Sequence, residues 1–266
     1  MLPVGLVPDT ERRNIRVAED GALTRITLDR PETRNALSLE LIEELIGALE
    51  DAARGGGRAI VLEGAGPVFS AGHDLSEMIG QPRERLAELF ERCSVMMRTV
   101  HEVPQPVIAK VHGIATAAGC QLVAACDLAV AAEDARFATP GVKIGLFCST
   151  PMVPVSRAVG RKRAMQMLIT GEPIDAATAL DWGLVNRVVP PARLERAVLE
   201  LVEAITRASA YTVATGKRAF YAQVDDPEDE AYAHCQQVMT ENALAHDAQE
   251  GMSAFLEKRD PVWRGE

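Results

Sequence analysis

No apolar run in this chain approaches the ~20 residues that a helix needs to span a bilayer, which excludes a helical membrane protein. Basic residues are also short: 28 Lys and Arg stand against 38 Asp and Glu, a net charge of -10. A nucleic-acid binder needs a basic face to neutralise phosphates, so that class is set aside. Any anionic ligand must be met by a few local cations and by helix N-termini. Cysteine is sparse and unpaired in pattern: Cys93, Cys120, Cys126, Cys148 and Cys235 are odd in number and form no CxxC. Neither a disulfide framework nor a metal site is expected, and a reducing, cytoplasmic location is. The start, MLPVGLVPDTERRN, lacks a cationic segment leading into an apolar one, so no secretory signal is read there. Met1 to Glu11 is expected to be a frayed end. No repeat or low-complexity tract is present.

What is there suits a soluble globular protein. The 266 residues suffice for a full core, and 47% apolar with 25% charged residues is an ordinary balance. Asn14 to Glu19 and Ala22 to Asp29 flank Asp20-Gly21, a hairpin signal. Ser38 is placed to cap a helix running to about Arg54, with Leu41, Ile42, Leu45 and Leu49 on one stripe. Strands are predicted at Arg58 to Leu62, Val107 to Val111 and Leu128 to Ala132, with a helix over Pro82 to Glu102. The alternation implies crossover units and a largely parallel sheet in an α/β protein. After Pro190-Pro191 only helical patterns remain, so the division predicted is a core over 1–190 and a helical region over 191–266.

Two small-residue turns carry the chemistry. FSAGHDL (Phe69 to Leu75) and HGIATAAGCQL (His112 to Leu122) each follow a short apolar strand, and the second leads into a helix. Small side chains let backbone N–H groups approach a ligand oxygen, and two such turns together can form an oxyanion hole. Taken singly, either is an ordinary strand-to-helix turn.

With RPETRNALS, GPVFSAGHDLSEM, HGIATAAGCQLVAACDLAVA, FATPGVKIGL and FLEKRDPVW in this order, the chain resembles the enoyl-CoA hydratase/isomerase (crotonase) superfamily over nearly its whole length. The TAAGCQL and FATPGV segments are most similar to those of the mitochondrial-type enoyl-CoA hydratase domain-containing branch. The resemblance implies a crotonase-like spiral of repeated β-β-α units with a helical C-terminal trimerisation region, and a homotrimer or dimer of trimers. It implies a coenzyme A thioester as substrate or ligand, no permanently bound cofactor, and a thioester enolate held by two backbone amides. Those amides fall on His73 and Ala118. Adenine and pantetheine would be cradled by backbone groups of Phe69, Ala71 and His73, with cationic help from Arg34 and Lys258 and, more remotely, Lys217.

The departures are as telling. The two glutamates by which the family's hydratases move protons fall on Gln121 and Gly141. An amide orients water but cannot take its proton, and glycine offers no side chain. Conventional hydration is therefore not expected. Cys148 and Ser149 stand near a further acidic position of family isomerases, and Cys148 is assigned to packing for want of a nearby cation. The His73 imidazole is a candidate acid or base. Asp74 is read as fixing its own loop, Glu77 as a solvated acid at a helix start, His112 as part of a strand end and Cys120 as core. The functional alternatives are an acyl-CoA enzyme of atypical site, a non-catalytic acyl-CoA binder, and a decarboxylase or thioesterase.

Overall fold

The computed structural model describes residues 12–266; the expected frayed end, Met1 to Glu11, lies outside the described residues. A hairpin of β1 (Ile15–Asp20) and β2 (Leu23–Leu28) turns at Gly21, whose φ of 58° a side chain would oppose. Helix α1 (Leu39–Arg54) is capped by Ser38, whose Oγ accepts from Leu41 N at 3.2 Å. Its apolar stripe, Leu41, Ile42, Leu45 and Leu49, is wholly buried. There follow β3 (Ala59–Gly64), α2 (Arg83–Glu102), β4 (Val107–Val111), β5 (Ile114–Thr116), α3 (Ala118–Ala125), β6 (Leu128–Ala132) and β7 (Arg136–Ala138). The chain continues through α4 (Met152–Val159), α5 (Arg161–Thr170), β8 (Ile174–Asp175), α6 (Ala176–Trp182) and β9 (Arg187–Val189). Four helices complete it: α7 (Leu194–Thr206), α8 (Ala210–Gln223), α9 (Glu228–Leu244) and α10 (His246–Glu257).

One sheet runs β1-β2-β3-β4-β6-β9, parallel except for the hairpin, and a smaller sheet runs β5-β7-β8. The short second sheet is what the sequence pattern did not reveal. Its strands are too brief for periodicity, yet β5 and β7 pair in parallel beside the second small-residue turn.

Strand alternation divides the main sheet between two cores. Ile60, Leu62, Val107 and Ala109 face the larger core with α1, α2 and α3. Ala59, Val61, Ile108 and Val130 face the other way, onto Leu194, Ala197, Val198 and Val202 of α7. Arg25 reinforces this second layer by pairing Glu63 of β3 at 3.0 Å and Glu195 of α7 at 2.6 Å, while Lys110 bridges the same two carboxylates. Helix α7 is thus integral to the sheet. The helical region projected from residue 191 therefore begins as part of the core, because the sheet's second face needs a helix to cover it.

The last residues are tied back by Asp247, which is fully buried and accepts from Ser209 Oγ (2.6 Å), Arg264 N (2.7 Å) and Gly265 N (2.9 Å). Despite burial, these donors lower its pKa to about 2. A carboxylate whose folded pKa is depressed stabilises the fold fully above its unfolded pKa and loses that contribution as pH falls through the folded value. Asp247→Asn is expected to remove the part of the acid-unfolding profile between about pH 4 and pH 2, followed by near-UV circular dichroism. Beside this tie, α9 and α10 expose Met239, Leu244, Phe255 (82%) and Leu256 (79%).

Candidate active site

The first small-residue turn is built from inside. Asn35 is fully buried and its Nδ2 donates to the carbonyls of Ala65 (2.8 Å), Val68 (2.9 Å) and Phe69 (3.1 Å). Ser70 joins this turn to the second. Its Oγ donates to Asn35 O (2.8 Å) and accepts from Gly72 N (3.2 Å), its N–H donates to Ile114 O (3.1 Å), and its carbonyl accepts from Thr116 N (3.0 Å). A Cβ on Gly119 would sit 2.5 Å from Ser70 O, so only glycine lets the turns close up. Ser70, Asn35 and Ala117 are site-building residues that the sequence reading passed over. For Ser70 a polar side chain inside a small-residue motif was the available signal.

The two turns that carry the expected donors abut, and both N–H groups are free of backbone acceptors among the described residues. A parallel bridge links Leu37 with His73: Leu37 N donates to Gly72 O (2.7 Å) and Asp74 N donates to Leu37 O (3.2 Å). That pattern skips the N–H of His73, which meets no backbone acceptor among the described residues. Ala118 is the first residue of α3, where N–H groups have no intrahelical partner. A Cβ on Gly72, at φ 88°, would come 3.2 Å from Ala118 N, which shows how closely the two turns abut. Ala118 itself is buried and helical; the left-handed φ, 49°, falls on Ala117 just before it. A non-glycine residue held there costs about 1–3 kcal/mol.

The turns open on a cavity of about 540 Å³ lined by Ala71, His73, Phe90, Thr116, Ala117, Gly141 and Cys148, with Leu75, Met78, Ile144, Leu146 and Phe147 as its apolar wall. Its titratable side chains are few. The His73 ring meets Phe90 edge-on at 5.6 Å, and both ring nitrogens are buried without a hydrogen-bond partner. Burial lowers its pKa, and the nearby Leu37 carbonyl favours the cation too weakly to offset this. Burial likewise raises the Cys148 thiol, keeping it protonated as expected of a packed cysteine. Lys143 is paired with Glu172 at 2.8 Å. Among the lining residues there is no carboxylate.

Gln121 lies one turn along α3 from Ala118, behind the lining residues, 3% exposed, with Oε1 buried and unpartnered. Gly141 is a lining residue with no room for a side chain. A Cβ there would stand 2.0 Å from the Leu146 carbonyl oxygen and 2.9 Å from Cys148 Sγ. The chain's own 146–148 segment fills the place that a carboxylate at 141 would need.

The remaining candidates separate. Phe69 is fully buried, its N–H given to His112 O (3.1 Å) and its carbonyl to Asn35, so it supports the turn and does not face a ligand. The Ala71 N–H is spent on Arg34 O (2.9 Å), leaving its other atoms to line the cavity. Arg34 is exposed beside that turn, with no ion partner among the described residues. Lys258 is exposed at the C-cap of α10 and lines no part of this cavity. Lys217 is removed from any phosphate role: it is buried against Asp127 (2.7 Å) and donates to the carbonyls of Val100 and Gln105 (2.8 Å each). Asp74 fixes its loop by accepting from Ser76 N (3.1 Å) and Oγ (2.6 Å). Glu77 is not a free surface acid, since it accepts from Leu39 N at 2.8 Å and so caps α1. His112 bonds Gly66 O at 2.8 Å, and Cys120 is core, its thiol pushed up to about 12 by burial.

Among the described residues no three His, Cys, Asp or Glu side chains converge as metal ligands, and no helix is long and apolar enough to cross a membrane. The family profile described as enoyl-CoA hydratase/isomerase matches residues 18–266. The chain is 45% identical over 258 residues to the enoyl-CoA hydratase domain-containing protein 3, mitochondrial, of Rattus norvegicus, covering 96% of this chain and 86% of that one. It superposes with a TM-score of 0.92 and 48% identity on a crystal structure of enoyl-CoA hydratase from Mycobacterium smegmatis, covering 94% of this chain and 99% of that one. The crystal structure of human enoyl coenzyme A hydratase domain-containing protein 3 gives a TM-score of 0.92 at 45% identity, covering 94% and 100%. The mixed α/β architecture is thereby the crotonase fold. Fold, converging turns and similarity over nearly the full length agree: this chain belongs to the enoyl-CoA hydratase/isomerase family.

Proposed function

We propose that the protein binds an acyl-CoA thioester and stabilises its enolate between the N–H groups of His73 and Ala118. The observation that carries this reading is the pair of unspent backbone donors, on abutting turns, at a largely apolar cavity. In this reading both donors meet the thioester carbonyl oxygen, and their positive ends stabilise the negative charge that builds there as the enolate forms. With glutamine at 121 and glycine at 141, no protein carboxylate is placed to activate water, and conventional hydration is not part of the proposal.

A second reading, a non-catalytic acyl-CoA binder, is favoured by that missing carboxylate pair. Against it stands the strain at Ala117 beside the donors, since strained backbone is characteristic of working sites. Arg34, next to the first turn, is proposed to meet the CoA phosphates. Lys258 does so only from a neighbouring protomer, because it lies away from its own cavity. The exposed apolar side chains of α9 and α10 support assembly as a homotrimer or dimer of trimers. The Rattus norvegicus relative is named mitochondrial. For this chain the unpaired cysteines support a reducing compartment such as the cytoplasm.

The test is calorimetry with crotonyl-CoA alongside the loss of enoyl absorbance. Micromolar binding with hydration near the uncatalysed rate is the expected result. Rapid hydration by the wild-type protein removes the case built on Gln121 and Gly141, and absence of binding removes the acyl-CoA reading altogether.

A further inference from the structure

The His73 N–H shares its peptide with the Gly72 carbonyl, and across a planar trans peptide the N–H points opposite to the C=O. That carbonyl accepts from Leu37 N at 2.7 Å. The His73 N–H is therefore turned away from Leu37. On the far side the same stretch of chain pairs with β5: Ser70 N donates to Ile114 O (3.1 Å), and Ser70 O accepts from Thr116 N (3.0 Å). β5 ends at Thr116, and the chain turns at Ala117 into α3. In the fork so opened the His73 N–H meets no backbone acceptor among the described residues, and Gly72 abuts the first turn of α3.

The two donors are backed differently. The Ala117 carbonyl, opposite the Ala118 N–H, accepts from Gln121 N at 3.0 Å, a bond of the helix's own winding. The His73 donor is backed from a distant segment, by Leu37. Leu37 is itself held fast. Its side chain is fully buried in the larger core, and the next residue, Ser38, caps α1. Its carbonyl accepts from Asp74 N at 3.2 Å, so Leu37 pins both peptides that flank His73.

We propose that Leu37 is a positioning residue: through its N–H on the Gly72 carbonyl it sets the direction of the His73 N–H and strengthens it as a donor. This rests on the oxyanion reading above. Drawing electron density toward the Gly72 oxygen makes the N–H at the other end of the peptide more positive. Hydrogen bonds in such a chain reinforce one another by about 10–30% each. Leu37 itself lines no part of the cavity and acts only through His73.

Replacing Leu37 by its α-hydroxy analogue exchanges the N–H for an oxygen, keeps the side chain and removes that one bond. Isotope-edited infrared spectra of butyryl-CoA, labelled with ¹³C at the thioester carbonyl, read polarisation by the donors. The band should move to lower frequency on binding to wild type, and the ester variant should lose roughly a third of that shift or more. Leu37→Ala is the control for packing. It keeps the N–H but empties a core position, so Tm should fall by roughly 4–15 °C while the bound carbonyl band stays at its wild-type place. A measurement on wild type alone serves where the ester variant does not fold. The Leu37 amide proton resonance should move downfield when butyryl-CoA binds, because a bond to the His73 N–H strengthens the bond behind it. A full shift in the ester variant, an equal loss in Leu37→Ala, or a Leu37 amide resonance unmoved by ligand overturns the proposal. Butyryl-CoA that binds wild type without any carbonyl shift overturns the oxyanion reading, and the role of Leu37 with it.

Discussion

Gln121→Glu is expected to raise the hydration of crotonyl-CoA by about 10²-fold, the lower end of what one general base supplies. The carboxylate reaches the cavity through one water, because residue 121 lies behind the lining residues. Glutamate is nearly isosteric with the glutamine that already fits this 97%-buried position (3% exposed), and Oε1 there has no partner to lose. The new carboxyl would sit in a desolvated site, so its pKa should stand above the ordinary glutamate range. Only the ionised form takes a proton from water, so the gained rate should climb with pH as the carboxylate forms and then level off. The same change at the other position has the opposite outcome. Gly141→Glu places a Cβ 2.0 Å from the Leu146 carbonyl oxygen, a backbone atom that yields only if the 146–148 segment moves. A loss of about 1–3 kcal/mol in urea unfolding, with no gain in hydration, is expected. Should Gln121→Glu leave the rate unchanged at every pH, the missing carboxylate is not what separates this site from a hydratase.

Lys217→Met should lower stability by about 3 kcal/mol, near the bottom of the range for breaking a buried ion pair. In a protein of this size that is a fall in Tm of roughly 6–12 °C. The Lys217 side chain is 6% exposed and that of Asp127 14%. Removing the ammonium leaves Asp127 with only Val107 N (2.6 Å) and Tyr221 OH (2.8 Å), and deprives two backbone carbonyls of their donor. The pair joins α8 to the start of β6, an interior strand of the sheet, so the loss should first be seen as loosening of α8 in hydrogen exchange. Asp127→Asn combined with Lys217→Met should recover part of the loss, because the stranded charge is gone. Affinity for coenzyme A should be unchanged in Lys217→Met. A weakened affinity without a drop in Tm would restore Lys217 to the phosphate-binding role that its burial denies it.

Much of this protein is legible along the chain because the signals are local. Asp20-Gly21 makes its hairpin, Ser38 caps its helix, and the α1 stripe faces the core, each decided within a few residues of itself. The two turns and the residues at 121 and 141 are equally local, and they carry the family resemblance together with its departures. Assignments that failed or were absent depend on partners far along the sequence. Phe69 and Lys217 read as available to a ligand, yet Asn35 claims the carbonyl of one and Asp127 the charge of the other. Helix α7 read as part of a separate appendage until the sheet's second face required it.

The sequence by itself determined the ligand class to expect and the proton-transfer groups that are missing, because chemistry depends on which side chains exist. Tertiary structure alone decided that Gly141 cannot simply be refilled, that the His73 ring nitrogens are buried and its pKa lowered, and that Ala117 carries a strained backbone beside the expected donors. Those outcomes are set by close packing among segments that meet only when the chain has folded, where a shift of a few tenths of an ångström decides what fits.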